Sequence, residues 1–261
     1  MRLGGGTRVL ITGASRGIGA ALARALAPRG CALRLVARDA APLEALVATL
    51  PGTGHRALSA DVADREAIAA AAAELGPVDV VVANAGVAHY GPWLDLDERL
   101  ERQMTDVNWT GTLNTLRATV PGMVERRHGH VVVVSSGAAL RTFPGAAVYG
   151  ATKAAQRGFA EGLWHDLDGT GVGVTVVYPG EISTSLHDHQ REKLPSWRQG
   201  EEADVDDCAA AIVAGVEKDR RGVYFPPQVR LLQAVHGLSP KLADLVLRRL
   251  RGRSAAPRSR R

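Results

Sequence analysis

The chain has 261 residues, 46% of them apolar and only 4% aromatic, enough for one large domain or two small ones built from closely packed helices on a sheet. Its formal charge of +5 is misleading: seven arginines lie in the last fourteen residues, RRLRGRSAAPRSRR, and the remainder carries −2, which excludes a nucleic-acid-binding body. Two distant cysteines, Cys31 and Cys208, exclude a disulfide framework and metal-ligand spacing; with no apolar signal core and no run of about 18 apolar residues, they point to a reducing cytoplasm, no metal and no spanning helix.

Short apolar runs alternate with helical patterns from the start. RVLIT (8–12) reads as a strand and 17–28 as a helix; CALRLVA (31–37) is a strand and 42–50 a helix. HRALSA (55–60), VDVVVA (78–83), HVVVVSS (130–136), VGVTVVYP (172–179) and GVYF (222–225) continue the strands, and helices are predicted over 64–75, 98–127, 148–168 and 204–219. Valine-rich strands that hardly alternate with polar residues are buried on both faces. Strands alternating with helices give a parallel sheet with right-handed crossovers. The expected fold is α/β: a single-domain, doubly wound Rossmann fold, mostly parallel and seven-stranded, with helices on both faces and a ligand crevice at the carboxyl ends of the strands. The expected division is a catalytic domain over 1–226, a helical extension over 227–250 packed on that domain or on a partner, and a basic, disordered tail over 251–261.

The turn after the first strand, VLITGASRGIGAAL, places Gly13, Gly17 and Gly19 where the chain enters a helix. Glycine permits a tight turn and lets the backbone approach a pyrophosphate, and the helix N-terminus offers free N–H groups. The second strand ends LVARD. Arg38 just past it and Arg16 in the glycine loop suit a ribose 2′-phosphate, so NADP(H) is preferred over NAD(H), which stays possible because Asp39 can pair with Arg38 or touch the ribose itself. Asp61 after the third strand can accept from an adenine amino group, or cap the helix at 64, a task Asp64 serves better. The segment ANAG, with Asn84, Ala85 and Gly86, ends the fourth strand with short side chains that leave room for a cofactor.

The chain holds only four lysines against twenty-eight arginines, and one of the four, Lys153, follows Tyr149 by four residues in AVYGATKAA, one helical turn away on the same face. Tyrosine is a poor acid–base catalyst near neutrality because its ordinary pKa is about 10, and a neighbouring ammonium lowers it. Ser136 stands thirteen residues before Tyr149, with Ser135 beside it. The ordered set T-G-x-x-x-G-x-G, N-A-G, Ser136, Tyr149-x-x-x-Lys153 and PGEIST (179–184), spread over about residues 7 to 225, resembles the short-chain dehydrogenase/reductase family.

That resemblance implies an NADP(H)-dependent oxidoreductase that interconverts an alcohol with a ketone or aldehyde. It makes Tyr149 the proton donor or acceptor, Ser136 the hydrogen-bond partner of the same oxygen, Lys153 a contact of the nicotinamide ribose, and Asn108 of TDVNWTG the holder of a relay water, unless Asn108 caps or kinks its helix. It adds Ser15, Ile18, Val62, Pro179, Gly180, Ile182 and Thr184 to the cofactor contacts, alongside Tyr149 and Lys153. Relatives acting on acyl carriers or sugars end in a VDGG-like segment; this chain continues YFPPQVRLLQAVHGLSPKLADLVLRRLRGR, which resembles the hydroxysteroid- and retinol-type members and implies a lipophilic substrate. Val229, Leu231, Leu232 and Val235, then Leu242, Leu245, Val246 and Leu250, fall at near-helical spacing, with Pro240 between them and Ser239 as a cap. Their apolar face covers the substrate pocket, docks a second subunit of a homodimer or homotetramer, or lies on a membrane. In the polar segment 185–203, Leu194 and Trp197 are candidates for the pocket wall, and His89, His187 and His189 read as solvated loop histidines. The alternatives are an acyl-carrier or polyketide-type ketoreductase, and a catalytically silent NADP-sensing or membrane-peripheral protein.

Overall fold

The computed structural model describes residues 1–193, 202–239 and 241. The apolar runs form seven strands: β1 (Arg8–Thr12), β2 (Ala32–Ala37), β3 (Arg56–Ser59), β4 (Val80–Ala83), β5 (Gly129–Val134), β6 (Val172–Pro179) and β7 (Gly222–Phe225). All pair in parallel, in the order β3-β2-β1-β4-β5-β6-β7. The helices between them are α1 (Gly17–Leu26), α2 (Ala40–Thr49), α3 (Arg65–Leu75), α4 (Glu98–Met104), α5 (Gly111–Glu125), α6 (Ala147–Asp166) and α7 (Val205–Glu217), followed after β7 by α8 (Gln228–Leu238).

The valine runs are explained by burial on both sides. Val9 and Ile11 of β1, Val80 and Val82 of β4, and Val132 and Val134 of β5 join one apolar cluster with Leu22 of α1, Leu43 of α2 and Ile212 of α7. Their neighbours Leu10, Val81, Val131 and Val133 join a second cluster with Ile68 of α3, Leu116 and Met123 of α5 and Ala160 of α6. Each such side chain contributes about 1.5–3 kcal/mol when fully buried. Cys31 and Cys208 are free and buried in the first cluster. Burial pushes the Cys208 thiol up to about 12, so it behaves as a small apolar side chain.

One predicted helix departs from expectation. The pattern over 98–127 is continuous in the sequence, yet α4 and α5 are separated by a π turn at Thr105–Thr110. Pro121 lies well inside α5 and does not cause the break. The turn is held by side chains instead: Thr112 Oγ1 donates to the Asn108 carbonyl at 2.7 Å, and Gln156 Nε2 of α6 donates to the same oxygen at 2.8 Å. Against the reading that Asn108 caps or kinks its helix, the structure shows a π turn at Asn108 with helical backbone on either side.

Chain order reverses between β1 and β4, and the crevice opens there, at the carboxyl ends of the strands. The first turn of α8 closes one side of it through Val229, which is buried. Leu231 and Leu238 of the same helix are exposed, and Ser239 is its C-cap. Leu194, Trp197, the second predicted C-terminal helix and the arginine tail lie outside the described residues.

Candidate active site

Of the residues expected from the sequence to catalyse or to bind the cofactor, all but Gly19 and Asn108 line this one crevice. Its floor is the turn from β1 into α1. Gly13 and Gly17 adopt φ of 63° and 54°, the left-handed region that favours glycine. A Cβ on Gly13 would stand 2.8 Å from the Ala85 Cα, and one on Gly19 would strike the Gly13 carbonyl, so Gly19 works from beneath the loop. Asn84 fastens the two central strands: its Nδ2 donates to the carbonyls of Thr12 at 2.9 Å and Gly13 at 3.1 Å, while the Asn84 and Ala85 amides donate to Thr12 Oγ1. The N-terminus of α1 carries no side-chain cap, and its first turn no acid, which leaves its amides to an incoming anion.

Arg16, Arg38, Asp39, Asp61 and Val62 line the far end of the crevice. No ion pair joins Arg38 to Asp39 among the described residues. Asp61 Oδ1 accepts from the Ala63 amide at 2.9 Å, and Asp64 caps α3 by accepting from the Glu66 and Ala67 amides. The two acids therefore divide the tasks, one on the wall and one at the helix end.

At the other end, α6 presents Tyr149 and Lys153 one above the other, with Lys153 Nζ 5.9 Å from the centre of the Tyr149 ring. Lys153 is buried, Nζ donates to the Val134 carbonyl at 3.0 Å, and burial pulls its amine down to about 7. Ser135 is buried with its hydroxyl spent on the Lys153 carbonyl at 2.8 Å. Ser136 Oγ accepts from the Ala138 amide at 3.1 Å, which leaves its own hydrogen to point elsewhere. Asn108 is wholly buried behind this face; its Oδ1 accepts from the Val87 amide at 2.8 Å and its Nδ2 donates to the Val87 carbonyl and to Thr152 Oγ1. Gly86 lets these groups converge: a Cβ there would be 3.3 Å from Asn108 Oδ1 and 3.4 Å from Lys153 Nζ.

His187 departs from the solvated-loop reading. It is buried and lines the crevice, with Nδ1 3.3 Å from the Tyr90 hydroxyl and its ring 5.5 Å from that of Tyr90. The Tyr90 ring in turn meets Tyr149 edge-on at 5.7 Å and Phe143 at 5.6 Å. Gln190, also buried, ties the segment to the loop after β4 by bonding the Ala88 carbonyl and the Tyr90 amide. His89 and His189 contact each other, with ring centres 5.1 Å apart. The polar run SLHDHQREK carries no apolar period, so nothing in the sequence marks His187 and Gln190 as inward-facing.

A doubly wound parallel sheet whose glycine turn, tyrosine, lysine and serine meet in one crevice is the architecture of a nucleotide-fold oxidoreductase. Residues 7–195 match the family model described as short chain dehydrogenase, and the chain belongs to that family. An uncharacterized oxidoreductase of Myxococcus xanthus is 39% identical over 254 residues, which is 93% of this chain and 96% of the relative. Glycine betaine reductase ATRR of Emericella nidulans is 41% identical over 187 residues, 69% of this chain, and the chain spans 15% of that relative's length. Among solved structures, a short chain dehydrogenase from Burkholderia cenocepacia in complex with NADP superposes with a TM-score of 0.83 at 26% identity, covering 95% of this chain and 99% of the other. One from Burkholderia phymatum in complex with NAD superposes with a TM-score of 0.84 at 24% identity, covering 93% and 96%, and attests the shared fold.

Proposed function

We propose that this chain is an NADP(H)-dependent carbonyl reductase or alcohol dehydrogenase that interconverts a secondary alcohol with a ketone, or an alcohol with an aldehyde, on a lipophilic substrate. The observation that carries the proposal is the meeting of Tyr149, Lys153 and Ser136 at one end of a crevice whose other end is an uncapped helix N-terminus. A dinucleotide fits the residues present: the glycine turn is free of the Cβ atoms that would fill it, and Arg16 and Arg38 offer guanidinium forks at the ribose end. Pro179, Gly180, Ile182 and Thr184 would flank the nicotinamide. When bound, the nicotinamide supplies or takes the hydride.

The chain's own part is proton handling and orientation. Ser136 donates a hydrogen bond to the substrate oxygen. Tyr149 gives that oxygen its proton in reduction and removes it in oxidation. With the Lys153 amine pulled to about 7, ionisation of Tyr149 and the charge on Lys153 support each other: a phenolate favours the ammonium and the ammonium favours the phenolate. Asn108 acts from behind by fixing Val87 and Thr152. Phe143 and Leu186, which pack with Tyr149, and Val229, which lines the same crevice, favour a lipophilic substrate. No helix among the described residues is long and apolar enough to cross a membrane, and a cytoplasmic homodimer or homotetramer is part of the same proposal.

The test is consumption of NADPH and of NADH against ketones and aldehydes graded from small polar to steroid-sized. NADPH turnover that improves with apolar size is the expected result; turnover confined to acyl-thioester ketones would move the assignment to a ketoreductase of carrier-bound substrates. Arg38→Asp should shift the preference toward NADH by about tenfold or more, through loss of a charge-assisted contact to the 2′-phosphate. An unmoved NADPH/NADH ratio of kcat/KM would remove Arg38 from the account.

A further inference from the structure

Tyr90, in the loop after β4, is buried and does not itself line the crevice. Three side chains that do line it rest on its ring. Tyr149 meets that ring edge-on, with centres 5.7 Å apart and planes at 80°, while Phe143 lies at 5.6 Å and His187 at 5.5 Å. The three come from separate segments: α6, the loop before it and the turn after β6. The Tyr90 hydroxyl is 3.3 Å from His187 Nδ1. The backbone here is held from two sides. The Tyr90 amide donates to Gln190 Oε1 at 2.9 Å, and the next amide, that of Gly91, donates to the Gly145 carbonyl at 2.9 Å, just before α6 begins. The loop that carries Tyr90 is thus fastened to the start of the helix that carries Tyr149.

We propose that Tyr90 is a positioning residue for Tyr149: its ring, anchored behind the crevice wall, sets the tilt at which the phenol meets the substrate oxygen. The inference rests on the reading that Tyr149 transfers the proton. A tyrosine ring turns about two side-chain bonds, and the second of them has only a broad preference of its own. Something outside α6 must therefore fix where the hydroxyl points. Lys153, with Nζ 5.9 Å from the centre of the Tyr149 ring, acts on the charge of the phenol; Tyr90 acts on its place. An edge-on pair is an arrangement that aromatic quadrupoles favour, so the contact has a direction as well as an area. Proton transfer needs the two heavy atoms within about 2.6–3.2 Å, and a misplacement of about 1 Å costs on the order of a hundredfold in rate. With the Tyr90 ring gone, Tyr149 gains the space that the ring fills and loses that alignment.

The experiment is a double-mutant cycle on the full chain, reading kcat for a ketone that the wild type reduces and NADPH binding by fluorescence. Tyr90→Leu should lower kcat by about ten- to a hundredfold, while NADPH affinity and stoichiometry stay within about twofold of wild type and report a folded chain. Tyr90→Phe keeps the ring and loses the hydroxyl, and should hold kcat within about threefold. In the Tyr149→Phe background, Tyr90→Leu should cost less than about a further twofold, because tilt has no consequence once the phenol hydroxyl is gone. If Tyr90→Leu fails to bind NADPH, Tyr90→Met, which fills the site with a flexible side chain and no ring, carries the same expectations. A kcat unmoved by loss of the ring, Tyr90→Phe as impaired as Tyr90→Leu, or the same loss with and without the Tyr149 hydroxyl overturns the role of Tyr90 while leaving Tyr149 in place. Tyr149→Phe at wild-type turnover overturns the underlying reading as well.

Discussion

Lys153 carries the sharpest tension among single residues. It is a rare lysine placed where burial opposes its charge, with its amine at about 7 against an ordinary 10.5. The folded state therefore holds fewer protons than the unfolded state between about pH 7 and pH 10.5, so stability rises with pH across that window; below it, burying the charge is fully unfavourable. Lys153→Met removes the titration and should make the cofactor-free chain more stable near pH 6 by on the order of a few kcal/mol. The gain should shrink as pH approaches 9, as read by urea unfolding at both values. A variant that is less stable at both would mean that the Val134 contact outweighs the desolvation. The same residue should be indispensable for turnover, which is the signature of a side chain kept for chemistry at the expense of the fold.

At the scale of elements, β5 and β6 enclose a second titratable group. His130 is buried between them, with Nε2 2.8 Å from Thr175 Oγ1, and Thr175 Oγ1 donates onward to the Arg220 carbonyl at 2.7 Å. The histidine therefore donates from Nε2, and Nδ1 stands 3.8 Å from Asp219. Burial holds its pKa down to about 4 from 6.5, with Asp219 opposing weakly. In the window from about pH 6.5 to pH 4 the unfolded chain binds the extra proton, so stability falls as pH falls. His130→Gln should lessen that loss by about 3 kcal/mol, measured as the change in unfolding free energy between pH 7 and pH 4. Equal acid sensitivity in both proteins would take His130 out of the acid response. The elements also show where the sequence speaks and where it is silent. The strands were legible because Val80 to Ala83 or Val131 to Val134 can be apolar throughout only when both faces are covered. The π turn was not, because the residues around Asn108 keep a helical pattern and the break is made by long-range donors, Gln156 foremost.

Across the whole molecule, the order of the sheet brings distant segments to one place. The turn after β1, the end of β4, Ser136 after β5, α6 and the segment after β6 all meet at the reversal of strand order. The glycine turn at one end of the crevice was readable because backbone approach demands glycine at Gly13 and Gly19, and a demand on residue type leaves a mark in the sequence. The tyrosine end was less so: Tyr90 and Phe143 come from loops and His187 and Gln190 from a short polar helical turn without apolar periodicity, and they take their positions from each other. On the proposed function, reaction class follows from the sheet and its ends, while substrate choice is assigned to the loops and to Val229 at the start of α8.

The central claim is that Tyr149 transfers the proton in a crevice that binds NADPH independently of it. The direct test is to compare wild type with Tyr149→Phe, measuring NADPH affinity by fluorescence and turnover on a ketone that the wild type reduces. The account predicts affinity within about threefold and turnover lower by at least about a hundredfold, as removal of a general acid does. Tyr149→Phe turning over at the wild-type rate would contradict it.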